Sequence, residues 1–166
     1  MIATKNLGVL KELDAWAIEL MARWGVYFLR VSLGVVFFWF GILKFFPGLS
    51  PAENLAMSTL DILFFGYIPS IVGIHALALL ECLIGLGLIF GIFLRCTLFL
   101  LFVQMLGTLT PLLFFPKQTF IAFPYAPSLE GQYIIKNLVL ISAGIVIGAT
   151  VRGRVVVSSD RPDHII

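Results

Sequence analysis

Residues 71–93 read IVGIHALALLECLIGLGLIFGIF, a run in which Glu81 is the single carboxylate and no Lys or Arg occurs. A helix needs about twenty predominantly apolar residues to cross the ~30 Å hydrocarbon core of a bilayer. This stretch is long enough, so it predicts a membrane-spanning helix with one acidic side chain near its middle.

Three further windows have the same character, at residues 24–43, 96–115 and 132–150. The four windows together hold three of the twenty acidic and basic residues, namely Arg30, Glu81 and Lys136. That partition is expected where lipid makes buried charge costly. Transmembrane strands would alternate between apolar and polar residues, whereas the run VVFFWF at 35–40 is apolar on every side. The sequence therefore predicts an all-α integral membrane four-helix bundle.

Composition supports a membrane protein and excludes several other classes. Of 166 residues, 60% are hydrophobic and 12% charged, against about a quarter charged in soluble domains. The length suits a single domain. A scattered net charge of +2 argues against a nucleic-acid partner. Two cysteines without a Cys-x-x-Cys pair exclude a disulfide scaffold and a thiol-exchange motif. A soluble enzyme and a disordered chain are excluded as well.

The segments outside the spans have predicted structure of their own. Residues 1–23 carry apolar side chains at helical spacing and are predicted to form an amphipathic helix on the membrane surface, or one packed on the bundle. A short interfacial helix is expected from Leu55 to Phe65 in the first outer loop, because that segment is too short to span. Residues 151–166 are predicted to form a tail.

Basic residues predict the orientation of the chain. With both termini in the cytoplasm, seven basic residues lie inside and three lie at or near the outer side, with Arg30 set aside. The inner set is Lys5, Lys11, Arg23, Arg95, Arg152, Arg154 and Arg161, and the outer set is Lys44, Lys117 and Lys136. We therefore expect both termini on the cytoplasmic side.

Four polar residues of the spans share helix faces with small residues, and these are the main candidate ligand site: Arg30, Glu81, Gln104 and Lys136. Small residues mark helix contacts in membranes, so all four side chains are predicted to face the bundle interior. Glu81 needs a partner or a proton. Arg30 is the preferred partner because a guanidinium binds a carboxylate through two hydrogen bonds, and Lys136 is the alternative. The same network could simply fix helix register.

Secondary candidates are His75, Lys44, Thr108 and Asn137. His75 is interpreted either as a proton carrier or quinone hydrogen-bond donor, or as a histidine satisfied by Thr108, Thr110 or a loop carbonyl. No catalytic motif, phosphate-binding loop or clustered metal-ligand set occurs. The sequence therefore predicts no metal, gives no evident cofactor and leaves enzymatic activity open.

Three segments resemble the DoxX-like family of small membrane proteins. They are Arg30 followed by Gly34 and GILKFF at 41–46, LECLIGLG at 80–87, and LEGQYIIKN at 129–137. The likeness covers roughly residues 24 to 154. It implies a four-helix bundle in a prokaryotic cytoplasmic membrane. Members include the small subunits of an archaeal thiosulfate:quinone oxidoreductase, and relatives are linked to redox stress or to partner membrane complexes.

Three functions follow as hypotheses. The first is a redox-linked membrane subunit that holds a quinone or a partner protein within or against the bundle. The second is a structural or assembly subunit, bound to another membrane protein or to a further copy of itself. The third is a small proton-coupled transporter in which Glu81 titrates. The expected partners are the lipid bilayer, with quinone or a membrane protein in addition.

Overall fold

A computed structural model describes residues 2–50, 52–151 and 153, with side chains described from residue 11 onward. The predicted tail at 151–166 lies almost entirely outside these residues. The described elements, in chain order, are α1 (Ile2–Leu43), α2 (Glu53–Leu63), α3 (Ser70–Phe90), α4 (Leu94–Leu109), α5 (Pro111–Phe114), α6 (Pro116–Thr119), β1 (Phe120–Ala122), β2 (Ala126–Pro127) and α7 (Leu129–Thr150).

Four helical segments of the described chain are long and apolar enough to span a membrane: Lys11–Leu43, Ser70–Phe90, Leu94–Phe114 and Leu129–Thr150. They coincide with the four predicted spans to within a few residues, except that the first is longer. The all-α membrane bundle predicted from the sequence is thereby confirmed. The short helix expected in the first outer loop is α2.

Helix α1 differs from the prediction at its N-terminal end. The boundary predicted at residue 23 is not a helix end, because α1 continues unbroken from Ile2 to Leu43. The physical reason is that α1 contains no Pro, and an isolated glycine such as Gly25 weakens a helix without ending it. The predicted amphipathic helix and the first span thus form one continuous helix.

Glycines set the register between α1 and α3, which are antiparallel. A Cβ atom on Gly85 would lie 2.6 Å from the backbone nitrogen of Phe38, and one on Gly41 would lie 2.9 Å from that of Cys82. Only residues without a side chain permit this approach. The contact places Gly41, near the end of α1, level with the middle of α3. Helix α1 therefore stops well before α3 does.

The bundle has two dissimilar ends. The hairpin end is where α3 turns into α4 through Gly91–Phe93, and the loop end is where residues 44–69 and 110–128 connect the spans. The hydrophobic core lies toward the hairpin end and includes Leu33, Ile84, Leu88, Leu101 and Ile147. At the loop end, α2 packs on α3 and covers the space that α1 leaves open.

The loop at residues 110–128 also folds against the bundle. Strands β1 and β2 pair antiparallel, a small hairpin that the sequence analysis does not predict. The backbone carbonyl of the buried Thr119 accepts a hydrogen bond from the Ser128 N–H. The Ser128 hydroxyl accepts from the Gly131 N–H at the start of α7. The loop is thus joined to the helix that follows it.

Candidate functional site

A buried ion pair lies at mid-height of the bundle. The ammonium of Lys44 contacts the Glu81 carboxylate, with Nζ 2.5 Å from Oε2. The two side chains are 13% and 8% exposed. Gln104 Nε2 donates to the other carboxylate oxygen of Glu81 at 2.8 Å. We call Lys44, Glu81 and Gln104 the polar cluster. Because each Glu81 oxygen has a donor, the cost of placing a charge in the bundle is offset.

The predicted Arg30–Glu81 pair is not formed, and Lys44 takes the place of Arg30. The register of α1 explains this, since Gly41 is level with Cys82 and Arg30 lies eleven residues earlier in the helix. At 1.5 Å per residue, that is about 16 Å along the axis. The Arg30 guanidinium instead lies against Gly91, at the hairpin end.

The polar cluster borders a cavity of about 450 Å³. We call it the loop-end cavity. Its walls come from α1, α2, α3, α4 and α7, and most of its lining is aliphatic or aromatic. Its apolar lining includes Val36, Phe37, Phe40, Leu55, Leu60, Leu63, Leu77, Leu80, Met105, Ile134 and Leu140. An apolar chamber with a few polar groups has the character of a small-molecule site.

Six of the eight candidate residues line this cavity: Glu81, Gln104, Lys136, Lys44, Thr108 and Asn137. Asn137 Nδ2 donates to Thr108 Oγ1 at 3.3 Å, so α4 and α7 contribute a second polar pair. The Lys136 ammonium lies 5.6 Å from the centre of the Tyr133 ring. Among the described residues, Lys136 forms no ion pair with Glu81, although both border the same chamber.

His75 and Arg30 are not part of the cavity lining. His75 Nδ1 is 2.6 Å from the carbonyl oxygen of Ile71, one turn earlier in α3, and its ring packs near that of Phe45. A carbonyl can only accept, so Nδ1 carries the proton in this contact. The partner of His75 is therefore a carbonyl within α3, whereas the sequence analysis names Thr108, Thr110 or a loop carbonyl.

A second, more polar cavity of about 680 Å³ adjoins the first. We call it the vestibule. It lies between the loop at residues 44–52, the start of α2 and the loop at residues 110–128. It is lined by Gly48, Ser50, Ala52, Glu53, Asn54, Leu55, Gln118 and Glu130. Four of these residues, Ser50, Ala52, Leu55 and Glu130, also line the loop-end cavity. The two chambers are therefore adjacent, and the polar cluster borders the loop-end cavity but not the vestibule.

Gln104 contains one unsatisfied atom. Its Oε1 is buried and has no hydrogen-bond donor among the described residues. The orientation of the amide follows from Glu81, whose carboxylate oxygen requires the NH₂ side. In the part of the chain that the structure describes, no group of three or more His, Cys, Asp or Glu is placed to hold a metal ion.

Comparison with known proteins identifies the family. The DoxX family profile matches residues 25–115, more than half of the chain. The chain belongs to the DoxX family. No curated protein and no solved structure matches it. The matched region contains α2, α3, α4 and most of the spanning part of α1. It also contains all three residues of the polar cluster, since Lys44 directly follows α1. This DoxX protein is a multi-pass membrane protein.

Sequence reasoning found the members of the site but not their pairing. Lys44 stands directly after the first span, three residues beyond Gly41, and was only a secondary candidate. Its pairing with Glu81 follows from the Gly41 contact, which fixes the depth at which α1 ends. That contact depends on which helices pack together, and a single sequence does not contain this information.

Proposed function

We propose that this DoxX protein is a redox-linked membrane subunit that binds a quinone headgroup in the loop-end cavity. The single observation that carries the proposal is an apolar chamber of about 450 Å³ whose walls include a buried, hydrogen-bonded ion pair. A quinone combines a flat ring, two polar oxygens and an apolar tail. The chamber offers matching surfaces for each of these parts.

The polar cluster has unused hydrogen-bond donors for a quinone carbonyl. An ammonium carries three protons and a primary amide carries two. Lys44 directs one proton to Glu81 and another, over 3.4 Å, to the carbonyl of Phe40. Gln104 Nε2 uses one of its two protons for Glu81. One donor on each residue is therefore available to an oxygen of the ring, and these bonds would orient the headgroup.

The tail needs a way out of the bundle into lipid. Several cavity-lining residues of α1 and α7 are exposed on the bundle surface, among them Val36, Phe40 and Tyr133. These positions support a lateral opening between α1 and α7. A quinone would enter from the bilayer with its headgroup toward the polar cluster. The proposal places the protein in a prokaryotic cytoplasmic membrane with the loop end outside.

Gly107 offers a direct test because it lines the cavity and nothing lies within 4 Å of the position of an added Cβ. Gly107→Leu would place a branched apolar side chain in the chamber, with a Cβ atom that meets no neighbouring atom. Gly25→Leu is the matched control, since Gly25 is helical and equally open. After purification in mild detergent, mass spectrometry should find quinone with the wild type and with Gly25→Leu, and a loss of at least about tenfold with Gly107→Leu. Wild-type protein without quinone, or equal retention by both variants, would refute the proposal.

One observation favours a second candidate function, that of a structural or assembly subunit. Every residue from Lys11 to Gly25 except Ala17 is exposed, and the exposed side chains include Trp16, Met21 and Trp24. Large apolar side chains that stand exposed beside charged ones support a contact with a second protein at this part of α1. Affinity purification from native membranes should recover a second protein if this function holds, and only the bundle if it does not.

A further inference from the structure

Arg30 is a charged residue for which the fold supplies no hydrogen-bond partner. No hydrogen bond or ion pair joins it to any described residue. Its guanidinium makes a cation–π contact with Tyr27, whose ring centre lies 5.4 Å from Cζ. Its Nε is buried without a partner. The terminal nitrogens are not among the buried unpaired atoms, so they reach the bundle surface.

Gly91 creates the space in which this guanidinium lies. A Cβ atom on Gly91 would be 2.5 Å from Nη1 and 3.2 Å from Cζ of Arg30. Gly91 ends α3 in the left-handed conformation, with φ of 71°. The absence of a side chain therefore serves both the turn and the position of the guanidinium, which lies between α1 and the α3–α4 hairpin.

The depth of Arg30 indicates which ligand could reach it. Helix α3 spans 21 residues and Gly91 follows directly after it, so the guanidinium lies at one limit of the hydrocarbon layer. This is the level at which lipid phosphates are found. An arginine fork binds phosphate through two parallel, charge-assisted hydrogen bonds.

We propose that Arg30, held against Gly91 and Tyr27, binds the phosphate group of an anionic phospholipid at the hairpin end of the bundle. An anionic lipid is favoured over a zwitterionic one because no carboxylate of the described chain balances the charge of Arg30, whereas a zwitterionic headgroup balances its own phosphate. The site is separate from the loop-end cavity and does not depend on quinone binding.

Thermal unfolding in detergent tests the site against two phosphate sources. Phosphatidylglycerol in tenfold excess over its Kd should raise the Tm of the wild type by about 3 °C. Phosphatidylcholine and inorganic phosphate should each give less than half of that rise. Arg30→Gln should abolish the response to phosphatidylglycerol, and Arg30→Lys should retain part of it. Each variant is compared with its own lipid-free Tm, so a change in basal stability does not obscure the result.

Arg23→Gln is the matched control, because Arg23 is an exposed arginine of the same helix that lies over the Trp24 ring. It should respond to phosphatidylglycerol like the wild type. Equal shifts with phosphatidylcholine, an equal shift with inorganic phosphate alone, or an unchanged response of Arg30→Gln would each overturn the proposal. A loss of response in both arginine variants would indicate a general charge effect and would also overturn it.

Discussion

The hairpin end and the loop end of the bundle are built from the same four helices but are filled differently. At the hairpin end, Ile84, Leu88, Leu101 and Ile147 are almost completely buried and pack against one another. At the loop end, the same helices line a cavity of about 450 Å³ beside a charged pair. The hairpin end is thus close-packed like an ordinary protein interior, whereas the loop end leaves a partly open cavity between the helices.

Helix register explains the difference. Helix α1 ends at Leu43, while its antiparallel neighbour α3 continues to Ser70 at the loop end. Helix α2 covers the resulting space but has only 11 residues. The end of α1 also brings Lys44, the first residue after the helix, level with the middle of α3. The cavity and the buried ion pair thus have one structural origin.

The largest effect on stability is expected from Lys44→Met, which leaves the Glu81 carboxylate buried without an ionic partner. Removing one member of a buried pair costs about 3–5 kcal/mol. Equilibrium unfolding in detergent should show that loss, and the double variant with Glu81→Gln should regain most of it. Lys117→Met, at an exposed position of α6, should change little. A loss of less than about 1 kcal/mol in Lys44→Met would show that the pair does not stabilise the fold.

A smaller effect is expected from Gly85→Ala at the crossing of α1 and α3. The new methyl group would meet the backbone of Phe38 and the carbonyl of Gly34, and overpacking of this kind costs about 1–3 kcal/mol. Gly107→Ala is the control, because its methyl group would point into the cavity. Helix propensity alone should make that variant up to about 1 kcal/mol more stable. Equal Tm values for the two variants would contradict the proposed register.

The smallest effect is expected from Gln104→Leu. The substitution removes a hydrogen bond to a carboxylate, worth about 1.5–3 kcal/mol, but it also removes the unsatisfied Oε1, whose burial costs about 1–3 kcal/mol. The two contributions nearly cancel, so the free energy of unfolding should change by about 1 kcal/mol or less. Gln118→Leu, at an exposed position, provides the comparison. A loss above about 3 kcal/mol would mean that Oε1 is satisfied in solution.

Much of this architecture could be predicted from the sequence, because segments that cross a membrane must be long, apolar and nearly free of charge. The cost of placing charge in lipid sets the positions of the four spans, and helix periodicity identifies Glu81 and Gln104 as inward-facing. The pairing of Glu81 could not be derived in the same way. It depends on an axial shift between α1 and α3, and helical spacing within one segment carries no information about its height relative to another.

Arg30 illustrates the same limit. A guanidinium binds a carboxylate well, so the sequence favours Arg30 as the partner of Glu81. Helix α1 instead places Arg30 about 16 Å along its axis from Gly41, which lies level with Cys82. Lys44 pairs with Glu81 because the close contact of Gly41 with Cys82 sets the height of α1 against α3. Small residues indicate that a helix face makes contacts, but the partner and the register emerge only when the bundle is assembled.

The most direct test of the account is to map where a quinone binds along the bundle. A photoreactive azido-quinone should be crosslinked to the purified protein, followed by peptide mass spectrometry. We expect labels on the cavity-lining segments of α2 and α7, within 55–63 and 133–140, and their loss in Gly107→Leu. Labelling confined to the core residues 84–88 and 143–147 at the hairpin end, or unchanged labelling in Gly107→Leu, would contradict the assignment of the loop-end cavity as the ligand site.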